Sequence, residues 1–313
     1  METPDGGPDS GQHSNPHSSM HWSQERLHAD VARAVGGSLN LIREISRISH
    51  ELDPEMPTEW MVKRTQFFAY ELQSELPNGL TEREKLDHLN RFFFELKRFQ
   101  CLADTTSLQR PSDAFRVSRV LAARKGAPLV LSLIYAFLAE KIGVELEFVD
   151  FNPAWFLRWS ENGRSRYIDV ARAGATLSSE ELIEVLHSRY RMFPDVNEDT
   201  LFEPLSFERL LVAYLNDLKL TVAGVKGAHL SEPEKLLFLQ NALMAYQPSN
   251  IQLFAERAVI HRRLGHYKNA LSDLKRYFTF NAREKAMPEL IQLHDDLVKI
   301  LERTKLGLDG LDH

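Results

Sequence analysis

The chain has 313 residues, of which 43% are hydrophobic, enough to build a real core and too many for wholesale disorder. Lysine plus arginine number 38 against 44 aspartate plus glutamate, a net charge of −6, which excludes a generally basic nucleic-acid-binding surface. With one cysteine, an internal disulfide and an all-cysteine metal site within one chain are both excluded, and the reducing cytoplasm is the expected compartment.

Residues 1–20 are Gly, Pro, Ser, Asp and His with almost no apolar side chain, so a flexible tail is expected. The N-terminus has neither a basic region nor a following apolar run, so it does not read as a secretory signal. His13, His17 and His21 are four apart, but Pro16 and the Ser/Asn-rich composition oppose the helix that a shared metal would need. No metal or other cofactor is expected.

Leu27, Val31, Ala34 and Val35 recur at helical spacing, as do Leu41, Ile45 and Ile48 after Gly36-Gly37. Trp60, Phe67, Phe68 and Leu72 mark the next helix. Thr81 and Glu84 form a capping-box signature for a helix carrying Leu86, Leu89, Phe92, Phe93 and Leu96. Ser112-Asp113 caps a short helix holding Phe115 and Val120-Leu121. Ala127-Pro128 then opens a helix to about Ile142, with proline in the first turn, where its missing N–H costs nothing. That helix is apolar nearly all round, so it belongs at the centre of a domain. Its uncharged run, Ala127 to Ala139, is about 13 residues, short of the roughly 18 needed to cross a bilayer, and no membrane insertion is expected.

Val144 to Val149 and Trp155 to Trp159 alternate as strands, and Glu161-Asn162-Gly163 turns into a third strand around Arg166 to Asp169. Ser178-Ser179-Glu180-Glu181 opens another helix. From Leu205 the pattern is helical to the end, with Glu234–Tyr246, Ile251–Leu264 and Tyr267–Phe280 separated by tight turns. A period near 34 residues, with Ala258, His261, Gly265, Tyr267 and Ala270 at repeat-like positions, resembles a tetratricopeptide repeat. Such repeats present a face to a peptide or helix, and Arg257, His261, Arg263 and Tyr267 are the candidate partner-binding residues. Tyr277, Phe278 and Phe280 read as core.

The ordered series Val120-Leu121-Ala122-Ala123-Arg124-Lys125-Gly126, the buried helix, Pro153-Ala154-Trp155-Phe156-Leu157 and Ile168-Asp169 resembles the SirB-type family of bacterial proteins. That family couples a transglutaminase-like domain to C-terminal tetratricopeptide repeats. The resemblance implies an α+β, mostly α fold. Its parts are a helical N-terminal region, a transglutaminase-like core of buried helix and small antiparallel sheet, and tetratricopeptide-like helices. The implied domains are 21–204 and 205–313, after the tail 1–20.

The resemblance also implies where a Cys–His–Asp triad would lie. The cysteine would open the central helix, the histidine would act as base from one strand, and the aspartate would orient it from the next. Here Gly126 is followed by Ala127 and Pro128, the histidine place is Trp155, and only Asp169 keeps its type. Many family members also lack the cysteine; the loss of the histidine goes further.

A pseudoenzyme working by protein binding is therefore expected, with Asp169 paired to Arg124, Arg166 or the Trp155 N–H. Two alternatives stand beside it. One is a thiol hydrolase or acyl transferase with Cys101 as a relocated nucleophile, although the sequence nominates no histidine for it. The other is an anion site at the head of the buried helix using Arg124 and Lys125.

Overall fold

The computed structural model describes residues 38–102, 112–151, 154–191, 203–223 and 232–305. The tail 1–20, the histidines at 13, 17 and 21, and the segment around Leu27–Val35 lie outside them. The N-terminal helices are α1 (Ser38–Leu52), α2 (Thr58–Glu75) and α3 (Glu82–Asn90), the last running on into a π-helical turn at Arg91–Leu96. Leu41, Ile45 and Ile48 of α1 are buried as the spacing requires. In α2, Phe68 and Leu72 turn inward, whereas Trp60 and Phe67 face outward. At the start of α3 both halves of the capping box form: Thr81 Oγ1 accepts from the Glu84 N–H at 3.3 Å, and Glu84 Oε2 accepts from the Thr81 N–H at 2.8 Å.

These helices wrap α5 (Pro128–Lys141), which follows a 3₁₀ turn (Ser112–Phe115) and α4 (Val117–Ala123). Leu129 through Ala139 are all buried, because no face of α5 carries a polar stripe. Gly143, at φ +73°, ends the helix by a turn that L-residues resist. A sheet then follows in chain order: β3 (Glu147–Phe151), β4 (Ala154–Glu161), β5 (Arg164–Asp169) and β6 (Ala175–Leu177), all neighbours antiparallel. Asn162 and Gly163, both at positive φ, make the two-residue hairpin that their sequence announces. α6 (Ser179–Tyr190) closes the outer face.

Alternation along β4 divides two cores. Trp155, Leu157 and Trp159 join the main core around α5, while Phe156 joins Tyr167, Leu182 and Leu186 beneath α6. A second, two-stranded sheet pairs β1 (Gln100–Cys101) with β2 (Lys125–Gly126) in parallel.

The C-terminal helices are α7 (Phe207–Ala223), α8 (Pro233–Tyr246), α9 (Gln252–Arg263), α10 (Tyr267–Phe280) and α11 (Pro288–Lys305). Each packs on the next. The main core runs unbroken from Leu41 to Leu297. Polar contacts tie the C-terminal helices to the earlier part: among them the Tyr214 hydroxyl donates to the Phe115 carbonyl at 3.1 Å, and the Tyr246 hydroxyl to Glu44 at 3.1 Å. Of the three aromatics read as core in α10, Tyr277 is buried and Phe278 partly so, but Phe280 stands 65% exposed, because the helix turns its last residue outward. No described helix is long and apolar enough to cross a membrane.

Candidate functional site

The head of α5 is built by a short ladder. Arg124 caps α4 in the left-handed conformation, φ 59°, and turns the chain into β2. Gln100 N–H then donates to the Arg124 carbonyl at 2.8 Å and Leu102 N–H to the Gly126 carbonyl at 2.9 Å. Residue 126 must be glycine: an added Cβ would stand 2.8 Å from Val120 Cγ1 and 3.2 Å from Leu131 Cδ2. Ala127 N–H is taken by the Ala114 carbonyl at 2.8 Å, and Ala127 and Leu129 are buried on either side of a half-buried Pro128. The helix N-terminus is therefore packed against the 3₁₀ turn instead of opening to solvent.

The ladder places Cys101 directly opposite Gly126. Twenty-five positions of sequence thus become one strand spacing. The same thiol feels the charges of Asp169 and Arg189. Burial raises its pKa to about 11, and the Asp169 carboxylate adds to the rise while Arg189 opposes it. Among the described residues no histidine contributes to the charge felt by this thiol. At neutral pH only about one thiol in 10⁴ would be ionised, and a protonated thiol is a poor nucleophile.

Asp169 is 1% exposed. Its Oδ2 lies 3.4 Å from the Arg189 guanidinium on α6, a contact at the long limit for a hydrogen bond. Its Oδ1 is buried with no hydrogen bond of normal geometry, although the Ala171 and Arg172 amides lie near enough to favour the anion. Desolvation outweighs Arg189, Arg172 and those amides, so the carboxyl titrates above its ordinary range. None of the partners expected for it supplies the charge. Arg124 donates to the Lys97 carbonyl at 2.9 Å and Arg166 pairs with Glu161 at 3.0 Å. Trp155 is ruled out by register. Leu157 opposes Ile168, so Asp169 shares the α6 side of the sheet with Tyr167, while Trp155 points to the other side.

Trp155 is 6% exposed, and its remaining edge lies in a cleft of about 440 Å³. Leu205, Val212, Ala213 and Leu220 give the cleft an apolar wall, and Glu208, Arg209 and Asp217 stand among its polar lining. Tyr246 and Gln247, where α8 ends, close it. This surface offers shape and mixed polarity next to the indole at the position where the triad pattern calls for a base.

Among the proposed anion contacts, Arg124 is occupied by Lys97 and Lys125 is exposed. Arg158, on the neighbouring sheet, is paired with Glu147 at 2.6 Å. The four candidate partner residues divide in two. Arg257 forks onto Asp273 at 2.8 and 2.7 Å and reaches Asn241 at 2.9 Å. His261 is buried beside them, 3.9 Å from Asp273 and 3.4 Å from His266. Arg263 and Tyr267 are exposed. Among the described residues no group of three His, Cys, Asp or Glu is arranged to hold a metal ion.

Sequence reasoning missed Arg189 and the approach of Cys101 to Gly126 and Asp169. A two-residue parallel ladder has no periodicity to detect, and Arg189 looks like any basic residue in the last turn of a helix.

Residues 59–216 match the model of the transglutaminase-like superfamily. The chain is 22% identical over 244 residues to a UPF0162 protein of Xylella fastidiosa, covering 77% of this chain and 83% of that one. It is 23% identical over 238 residues to protein SirB1 of Salmonella typhimurium, covering 76% and 85%. A UPF0162 protein of Buchnera aphidicola is 21% identical over 270 residues, covering 86% and 96%. No solved structure matches at a significant level. With half its length inside the superfamily model and these relatives spanning most of the rest, the chain belongs to the transglutaminase-like superfamily and to its SirB-type family.

Proposed function

We propose that this protein is a non-catalytic interaction scaffold, a degenerate transglutaminase-like unit joined to tetratricopeptide-type helices and acting by binding a protein partner. The observation that carries the reading is the separation of the triad positions. Pro128 heads a packed helix, Trp155 faces one side of the sheet, and Asp169 faces the other. Restoring chemistry would require a nucleophile and a base on the same side, and neither residue type is present at its position.

The C-terminal part supports the repeat assignment. Ala258 and Ala270 are fully buried where α9 and α10 cross, so the two backbones approach closely, and Gly265 turns between them at φ +73°. On this reading the domains divide near 204–205. Arg263 and Tyr267 belong to the docking face, and Arg257 and His261 hold that face in shape. The partner is a protein, with no role for nucleic acid, membrane or cofactor, and the setting is the cytoplasm.

A second reading has one observation in its favour: Cys101 lies beside Gly126 and Asp169, close to the superfamily's reaction centre. Thiol alkylation of the folded protein separates the two readings. With its pKa near 11, Cys101 should react at neutral pH at least about 30-fold more slowly than an unperturbed thiol. Alkylation faster than that of free cysteine, with a titration midpoint below 8, would move the assignment to the hydrolase.

A further inference from the structure

The outward face of α2 collects side chains that a solvated helix surface does not ordinarily carry. Met61, Val62, Thr65, Phe68, Ala69 and Leu72 turn inward. Opposite them stand Trp60, Phe67 and Tyr70, 37%, 49% and 69% exposed, with an exposed Lys63 among them. The intervals 60–63–67–70 alternate three and four residues, which aligns the four side chains as one seam about 15 Å long. The neighbouring charges have partners within the chain. Glu59 pairs with Arg43 at 3.1 Å in an exposed bridge, Glu71 with Lys97 at 2.7 Å, and the Arg64 guanidinium lies over the Phe68 ring at 4.6 Å and at the margin of the Phe67 ring at 5.8 Å. Aromatic rings with one cation are the composition of a binding anchor. None of these residues lines the cleft beside Trp155.

The order of the side chains says what fits against them. Trp60 and Tyr70 lie five residues on either side of Thr65, and Lys63 and Phe67 lie two. An antiparallel copy of the helix, related by a twofold axis beside residue 65, sets Trp60 against Tyr70 of the partner subunit and Lys63 against Phe67 of the partner subunit. Symmetry repeats both contacts. The outer layers are then aromatic pairs and the inner layers cation–aromatic contacts, so each layer is matched. A parallel copy would stack lysine on lysine at the middle of the seam. From this self-complementarity we infer that α2 is a self-association seam whose occupant is α2 of a second copy of this chain, packed antiparallel. The inference holds whether or not the Cys101 site is inert.

Sedimentation velocity on the full chain tests it between about 1 and 200 µM, the range expected for a contact smaller than a standard interface. The expected result is a concentration-dependent dimer. Phe67→Lys opposes two ammonium groups in each inner layer and should weaken dimerisation at least about tenfold, whereas Phe67→Glu gives each layer an ion pair and should change it less than about threefold. Position 67 is exposed, and circular dichroism of both variants checks that α2 stays folded. A wild-type chain that stays monomeric over the whole range overturns the inference, including one that instead binds anionic lipid vesicles. So does equal weakening by both variants, which would mean indiscriminate apolar contact, and so does indifference to both.

Discussion

Two buried carboxylates in this molecule are treated in opposite ways. Asp273, in the helical part, receives both arms of the Arg257 guanidinium at 2.8 and 2.7 Å, and the third side of that guanidinium is taken by Asn241. Asp169, in the sheet, has one long contact to Arg189 and a buried oxygen left over. The first is a finished structural network, with its charge matched by a bidentate fork. The second is matched only in part, and desolvation wins. A carboxylate recruited for packing would be expected to look like Asp273. Asp169 does not have that finished surrounding.

The contrast can be broken most directly by removing Arg257. Arg257→Ala leaves Asp273 buried without its fork and should cost about 3–5 kcal/mol in urea-denaturation stability. A loss under about 1 kcal/mol would mean that Asp273 is not held as described.

A smaller effect separates the two regions by pH. His261 is buried beside Asp273, and desolvation holds its pKa below the ordinary value, with the Asp273 charge opposing and Arg257 and His266 adding to the depression. The folded state therefore binds fewer protons than the unfolded state as His261 titrates. Its contribution is fully present above the ordinary histidine range and is lost as pH falls through that range toward the lowered folded value. Thermal melts from pH 7.5 to 5 should decline, and His261→Gln should decline less steeply. Identical slopes would remove His261 from the account.

The smallest effect belongs to Asp169. Its folded pKa lies above the unfolded one, so its net contribution falls as pH rises through that interval, and at neutral pH the ionised group is a cost. Asp169→Asn should change stability by no more than about 1 kcal/mol, with a gain as the expected direction, since Arg189 is partly exposed and keeps its water. A loss of several kcal/mol would make Asp169 as finished a site as Asp273.

Much of this was legible in the residues. Proline at the first turn of α5 and its uniform apolarity located a central helix, the Thr81–Glu84 pair located a helix start, and Asn162-Gly163 located a hairpin, because each is a local rule satisfied by near neighbours. Pro128 and Trp155, at the places the resemblance gives the nucleophile and the base, were equally visible, since residue type needs no structure. The partner of Asp169 was not legible: a choice among Arg124, Arg166 and Trp155 depends on which side of a sheet each side chain takes. Trp60 and Phe67 of α2 show the same limit. Their spacing marks a helix without telling which face is buried.

The order of residues, through the resemblance it carries, determined that this chain builds a mostly helical α+β fold of the transglutaminase-like kind, and it set Pro128 and Trp155 at the places where that resemblance expects the cysteine and the histidine. Only the packed chain decided that Cys101 meets Gly126 across a two-residue ladder, that Asp169 turns to Arg189, and that Arg257 is spent on Asp273. These are contacts between residues 16 to 25 positions apart. They are set by strand register and helix packing, which no local propensity encodes.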